Sequence, residues 1–252
     1  MQLNPIIEFS RFSVTIDGTP ILRQITLEIP RNGITVIIGP SGCGKSTFLR
    51  SINRMNDLVE GLTYEGKLCI DGHSILDPGV DATDLRRRVG MIAQTPNPLP
   101  MSIYDNVGYG PFIHGLRDRR EMDRVVRRSL ERVGLWNEVS GRLGDPARNL
   151  SVGQQQRLCL ARAIANGPEI LLCDETTSAL DPLSARTIEE ELKSLSGDYT
   201  ILFVTHILRQ ARRLADFAIF MYLGEAVEWG PAGQVFSHPS DPRTRQYLEG
   251  VL

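Results

Sequence analysis

Ile34-Thr35-Val36-Ile37-Ile38-Gly39-Pro40-Ser41-Gly42-Cys43-Gly44-Lys45-Ser46-Thr47-Phe48-Leu49 is the stretch that decides the fold. Its first five residues form a short, β-branched apolar run closed by glycine, the pattern of a strand buried on both faces of a parallel sheet. Beyond Ser46 the apolar residues Phe48, Leu49, Ile52 and Met55 recur at helical spacing, so the glycine-rich loop is expected between a strand and a helix. The spacing G-x-x-x-x-G-K-[ST] is met by Gly39, Gly44, Lys45 and Ser46. Glycines there let backbone N–H groups converge on phosphate oxygens at a helix N-terminus. Lys45 is expected at the β- and γ-phosphates of a nucleotide and Ser46 on Mg²⁺.

Two further runs read as buried strands, Ile170-Leu171-Leu172-Cys173 and Ile201-Leu202-Phe203-Val204, each ending in polar residues. Open parallel sheets place their ligands at such carboxyl ends. Asp174 and Glu175 follow the first run, one able to hold hydrated Mg²⁺ and the other to take a proton from water; Asp174 is the expected metal carboxylate and Glu175 the expected general base. Two acids at a strand end are more often a solvated turn or a helix cap, and the phosphate loop upstream reverses that prior. His206, after Val204-Thr205, is placed to donate a hydrogen bond to charge developing on the γ-phosphate; His73, His114 and His238 carry no such expectation.

Between the first and second strands the prolines of Gln94-Thr95-Pro96-Asn97-Pro98-Leu99-Pro100 forbid regular structure. Met122, Val125, Val126, Leu130 and Val133 then mark an amphipathic helix, the start of a helical insertion. The arginines from Arg117 to Arg132 are interleaved with Asp118, Glu121, Asp123 and Glu131, which reads as a solvated face rather than a nucleic-acid surface. Ser151-Val152-Gly153-Gln154 opens another helix with a Ser-x-x-Gln capping box, closed at Gly167-Pro168. Its N-terminus is also an anion site in its own right.

A chain of 252 residues with 41% hydrophobic residues can bury a substantial core in one unit. Its 28 basic and 30 acidic residues nearly cancel, so no overall field draws it to nucleic acid or an anionic membrane. Cys43, Cys69, Cys159 and Cys173 show no C-x-x-C pair and no metal-like spacing with the histidines, which fits a reducing compartment. The start Met1-Gln2-Leu3-Asn4-Pro5 has no signal-like pattern, and no apolar run approaches the ~20 residues of a membrane span. The protein is expected to be soluble or held at a membrane by others.

With these residues in place the chain resembles ABC transporter nucleotide-binding subunits along essentially its whole length. Walker A corresponds to Gly39, Pro40, Ser41, Gly42, Cys43, Gly44, Lys45 and Ser46, with Thr47 beside it, and the Q-loop glutamine to Gln94. The family signature corresponds to Leu150 to Gln154, Walker B to Ile170–Asp174 followed by Glu175, the D-loop to Ser178-Ala179-Leu180-Asp181 and the switch histidine to His206. The resemblance implies one ABC-type ATPase domain of the α/β class over residues 1–252. Its P-loop NTPase (RecA-like) core has a parallel sheet and an N-terminal antiparallel β portion, over about 1–94 and 167–252, and an inserted α-helical subdomain covers about 95–166. It implies Mg-ATP held in a head-to-tail homodimer between one subunit's Walker A and the other's Ser151, Gly153 and Gln154. Asp181 is implied near the nucleotide, and Gln94 near the metal and the attacking water. It also implies two transmembrane permease subunits, an indirect extracytoplasmic solute-binding protein, and a peripheral place on the cytoplasmic face of a bacterial or archaeal plasma membrane.

Gly90-Met91-Ile92, Pro100-Met101-Ser102-Ile103-Tyr104-Asp105-Asn106-Val107, Leu135-Trp136-Asn137-Glu138, Gln154 to Arg162 and Met221-Tyr222-Leu223-Gly224-Glu225 carry a closer resemblance to ATP-binding subunits of bacterial phosphate importers. The tract around Tyr104 lies where such subunits receive the permease. An importer of another oxyanion or an amino acid, a non-transport ABC ATPase and a regulatory nucleotide switch are the alternatives. The chain departs from the family at Val152, where the signature's first glycine is usual, and at Thr176, where proline is usual. At Ile16 an aromatic that stacks on adenine is usual, and Phe12 is the nearest substitute. Cys43 lies inside the phosphate loop, close to a helix N-terminus of the kind that lowers a thiol pKa, and alkylating it is expected to block ATP binding sterically.

Overall fold

The computed structural model describes residues 4–251, so most of the chain start read above lies outside the described residues. The chain divides into two compact units, one made of the residues up to Arg86 together with those from Ser196 onward, the other of Arg87–Leu195.

The first unit opens with β1 (Pro5–Ile16) and β2 (Thr19–Pro30), an antiparallel hairpin turned by Asp17 and Gly18, both at positive φ (48° and 75°). Two consecutive left-handed residues match the twist of the flanking strands, and Gly at the second takes that conformation without strain. The register of β1 shifts between Phe9 and Phe12 around Arg11, whose φ is 45°. That bulge turns two residues three apart to the same buried side, and Phe12 packs edge-on to Phe9 at 5.5 Å between ring centroids. Phe12 is therefore core, fully buried and also stacked with Tyr64, so its ring offers no open face to a base.

β3 (Gly33–Ile38) is buried from Ile34 to Ile38 and runs through the glycine-rich loop into α1 (Lys45–Ile52). Phe48, Leu49 and Ile52 are buried on α1, and Phe48 stacks on Phe9 at 4.7 Å, fixing the helix that follows the loop against the antiparallel strands. Met55 is not part of this helix: Arg54, at φ 56°, breaks the chain into a separate short turn. β4 (Leu62–Ile70) and β5 (His73–Ser74) complete an antiparallel sheet in the order β2-β1-β4-β5. α2 (Ala82–Arg88) carries the chain out of this unit.

The second unit holds β6 (Val89–Ile92), then α3 (Ile103–Ile113), α4 (Arg119–Arg132), the short α5 (Trp136–Val139), α6 (Val152–Ile164), β7 (Ile170–Asp174) and α7 (Pro182–Leu195). β6 and β7 pair in parallel, with Arg88 and Glu169 in an ion pair of 2.7 Å just before them. α3 packs on α6 and α4. Ser102 and Asp118 cap α3 and α4 by accepting from Asp105 N and Glu121 N. Met122, Val126, Leu130 and Val133 are buried, while the arginines of α4 face outward with i,i+3 and i,i+4 pairs such as Arg124–Glu121 and Arg127–Glu131.

Returning to the first unit, β8 (Thr200–Val204) is followed by α8 (Leu208–Leu214), β9 (Phe217–Tyr222), β10 (Glu225–Pro231), α9 (Ala232–Ser237) and α10 (Pro242–Leu248). β3 lies between β8 and β9, parallel to both, and β10 closes antiparallel on β9. Every residue of β7 and β8 is buried, which is why both read as continuous apolar runs rather than alternating ones. Among the described residues no helix is long and apolar enough to cross a membrane.

Candidate active site

In the first unit the loop from Gly39 to Ser46 is shaped by its backbone. Gly39, Gly42 and Gly44 have φ of 149°, 77° and 103°, which side-chain-bearing residues rarely adopt. At Gly39 a Cβ would stand 2.1 Å from the Met221 carbonyl oxygen, and at Gly44 it would stand 2.8 Å from Leu22 Cδ2. Both positions disfavour a larger residue by dihedral, and at Gly39 the backbone oxygen excludes one by space as well. Gly44 caps α1 without a side-chain hydrogen bond and no acidic residue lies in the first turn, so no side-chain carboxylate of that turn competes for the positive end of the helix dipole. Lys45 is buried, and its Nζ donates to the carbonyl oxygens of Gly39 and Pro40, each at 2.8 Å. That spans the loop with a fixed positive charge.

His206 stands exposed just past β8, beside the strand that feeds the loop, since Ile37 pairs with Val204 and Thr205 N donates to Ile37 O at 3.2 Å. Thr205 Oγ1 bonds Gln210 Oε1 at 2.6 Å and accepts from Ile207 N at 3.0 Å, which holds the turn carrying the histidine. Ile16, at the end of β1, is partly exposed and offers an aliphatic surface. Cys43 differs from expectation. Its side chain is buried, and burial pushes the thiol pKa up more strongly than the neighbouring Lys45 draws it down.

In the second unit Asp174 is buried at the end of β7, and Glu175 follows in a left-handed conformation, φ 50°, partly exposed. Single non-glycine residues held there cost of order 1–3 kcal/mol and cluster at functional sites. Thr176 Oγ1 is buried and finds no hydrogen-bond partner among the described residues. Gln94 Nε2 donates to Ser178 Oγ at 3.0 Å, and that hydroxyl donates to Glu175 O at 3.0 Å. The amide orientation of Gln94 is thereby set, with its nitrogen on Ser178 and its oxygen turned the other way as an acceptor. Asp181 caps α7, accepting from Leu183 N and Ser184 N at 3.0 Å and from Ser184 Oγ at 2.6 Å. The Ser184 hydroxyl holds its carboxyl below the usual range.

The capping box at α6 is formed as the spacing predicts: Gln154 N donates to Ser151 Oγ at 3.3 Å and Ser151 N to Gln154 Oε1 at 3.0 Å. Ser151 and Val152 are exposed. Gly153 lies against Ser184, whose Oγ would be 2.9 Å from an added Cβ. Glu138, which the residue-type patterns did not mark as a site residue, accepts from Gln154 Nε2 and from Arg157 Nη1, both at 2.7 Å. Its only signal in the sequence was its place in Leu135-Trp136-Asn137-Glu138.

The model of a family described as ABC transporter matches residues 22–178. The phosphate import ATP-binding protein PstB of Thermotoga maritima is 50% identical over 250 residues, covering 99% of this chain and 100% of that protein. Among solved structures, cbiO1 from Clostridium perfringens, part of the ABC transporter complex cbiONQ, matches with a TM-score of 0.82 and 26% identity over 96% of this chain and 94% of that one. A bacterial Atm1-family ABC exporter with ATP bound matches in fold, with a TM-score of 0.80 and 23% identity over 100% of this chain and 43% of the exporter's.

Proposed function

The chain belongs to the ABC transporter family, and from that premise we propose that it is the ATP-hydrolysing, energy-coupling subunit of a phosphate importer. The observation that carries the reading is full-length 50% identity to a phosphate import ATP-binding protein, in a chain whose glycine loop is preshaped around Lys45.

In this reading the backbone N–H groups of Gly39–Ser46, with Thr47 following, and the ammonium of Lys45 bind the β- and γ-phosphates. Glu175 takes the proton of the attacking water, which Gln94 orients, and His206 donates to charge developing on the γ-phosphate. Ser46, Gln94 and Asp174 would hold Mg²⁺: a hydroxyl, an amide oxygen and one carboxylate are hard oxygen donors, suited to an ion that keeps waters and phosphate oxygens as its other ligands. When bound, Mg²⁺ neutralises phosphate charge. Phosphoryl transfer asks mainly for position and electrostatics, and these residues supply both.

Two copies of the chain pair head to tail, so that Ser151, Gly153 and Gln154 of the partner subunit complete each nucleotide site, with Asp181 nearby. The helical segment of about 95–166 is a subdomain of one ATPase domain. The dimer sits peripherally on the cytoplasmic face of the membrane beneath two permease subunits, and an extracytoplasmic solute-binding protein delivers phosphate, which never touches this chain.

ATP hydrolysis by the complex reconstituted with its binding protein tests the reading. Phosphate is expected to stimulate turnover, and sulfate and molybdate are not. Hydrolysis indifferent to phosphate would remove the substrate assignment and leave the ATPase.

A further inference from the structure

We propose that Glu138 is a positioning residue for ATP hydrolysis, fixing through Gln154 the direction in which Ser151 and the first N–H groups of α6 point. The inference rests on the reading of Ser151 as a contact to the γ-phosphate bound by the partner subunit.

The capping box of α6 depends on which way one amide faces. Gln154 Oε1 accepts from Ser151 N at 3.0 Å. With the amide turned over, Nε2 would meet that N–H donor to donor, and the box would open. Glu138 removes the ambiguity: its Oε2 accepts from Gln154 Nε2 at 2.7 Å, so only the orientation that caps Ser151 satisfies both ends of the amide. A carboxylate accepts and never donates, and a charged acceptor makes a shorter, stronger bond than a neutral one.

A bare carboxylate beside an anion-binding helix start would repel the anion. Arg157, on α6 itself, cancels the charge: its Nη1 reaches Glu138 Oε1 at 2.7 Å and the Gly134 carbonyl at 3.1 Å. Hydrogen bonding from Arg157 and Gln154 holds the Glu138 carboxyl below the usual carboxylate range, so it stays ionised at neutral pH. α5 in turn is held from outside, with the Arg127 guanidinium 5.2 Å over the Trp136 ring and Arg142 Nε donating to Glu138 O at 3.3 Å. Glu138 is thus a fixed post against which the signature segment takes its orientation.

The test uses the full-length chain in the reconstituted complex, with ATP affinity measured separately on the isolated chain. Glu138→Ala is expected to lower kcat about tenfold, the worth of one charge-assisted hydrogen bond expressed in rate, with ATP affinity of the isolated chain unchanged and the melting temperature lowered only slightly. Glu138→Gln keeps an acceptor for Gln154 and is expected to recover most of the rate. Glu138→Ala added to Gln154→Ala is expected to cost nothing further, because both remove the same link. Full activity in Glu138→Ala, or effects of the two substitutions that multiply, would overturn the proposal. So would a fall in kcat matched by losses of ATP affinity and melting temperature, which marks a folding effect. Ser151→Ala separates the layers: if it turns over like the parent, the reading of Ser151 fails; if it is slow while Glu138→Ala is fast, only the role of Glu138 fails.

Discussion

The phosphate loop of the first unit is held by its own backbone, whereas the opening of α6 in the second is held by side chains, Gln154 and Arg157 of the helix itself and Glu138 reaching in from α5. Gly39, Gly42 and Gly44 set the loop through dihedrals that few other residues adopt, and Lys45 closes it onto two of its own carbonyls. Ser151 is placed instead by Gln154, Gln154 by Glu138, and Glu138 by Arg157. Backbone-built sites tolerate almost no substitution at their glycines. Side-chain-built sites can be tuned one contact at a time, and this chain carries Val152 where a glycine is usual without losing the cap.

The largest expected effect separates holding from chemistry. Glu175→Gln should lower ATP hydrolysis ~10²–10⁴-fold, the usual worth of general-base catalysis, while ATP affinity is kept and an ATP-bound dimer accumulates. Turnover near that of the parent, measured under saturating ATP, would move the base elsewhere and end the division of labour between loop and strand end.

Next in size is a pair of identical substitutions. Gly39→Ala puts a methyl group 2.1 Å from a backbone oxygen in a left-handed region, and is expected to cost ~3 kcal/mol and ATP binding with it. Gly153→Ala meets only the Ser184 side chain, Oγ at 2.9 Å and Cβ at 3.1 Å, which must give way at some expense to its bond with Asp181, and it gains helix propensity in return, so denaturant unfolding should place it within about 1 kcal/mol of the parent. Equal costs at the two positions would erase the contrast between backbone-held and side-chain-held sites.

The same contrast explains what the sequence made legible. The loop, its flanking strand and helix, and the Ser151 capping box are local, and each is written in residues a few positions apart. Glu138 lies 16 residues from Gln154 and 19 from Arg157, a distance no periodicity marks. The burial of Phe12 is hidden from the sequence for a related reason. The bulge at Arg11 that turns it inward is matched by Gly66 on β4, whose missing Cβ admits the Arg11 carbonyl, and no local pattern connects them. α1 was read too long because Arg54 ends it in a left-handed conformation that usually announces itself with glycine. The lowered thiol pKa expected of Cys43 failed because the loop that puts it near the helix start also buries it.

A smaller effect probes the nucleobase rather than the phosphates. With Phe12 buried and only the aliphatic Ile16 at the end of β1, ATP and GTP should bind with similar affinity. Ile16→Tyr should tighten both nucleotides by up to the ~1–3 kcal/mol of base stacking, which every base can supply through its π-face. A strong preference for ATP in the parent, measured by competition, would show that another group reads the base.

The smallest effect tests whether the α6 opening is held by charge. The Glu138 carboxyl sits below its ordinary range, first because Arg157 hydrogen-bonds it, so the folded state binds its proton more weakly than the unfolded chain. Its contribution to stability is therefore present above the ordinary carboxylate pKa and is lost as pH falls through the lowered folded value. Glu138 is partly solvent-exposed, which screens the pair and keeps the contribution small. Glu138→Gln should flatten this part of the acid limb in melting temperature against pH, with parent and variant converging at the lowest pH. Parallel curves for the two proteins would mean that the carboxylate is held by shape alone and that its charge does not help to set the signature segment.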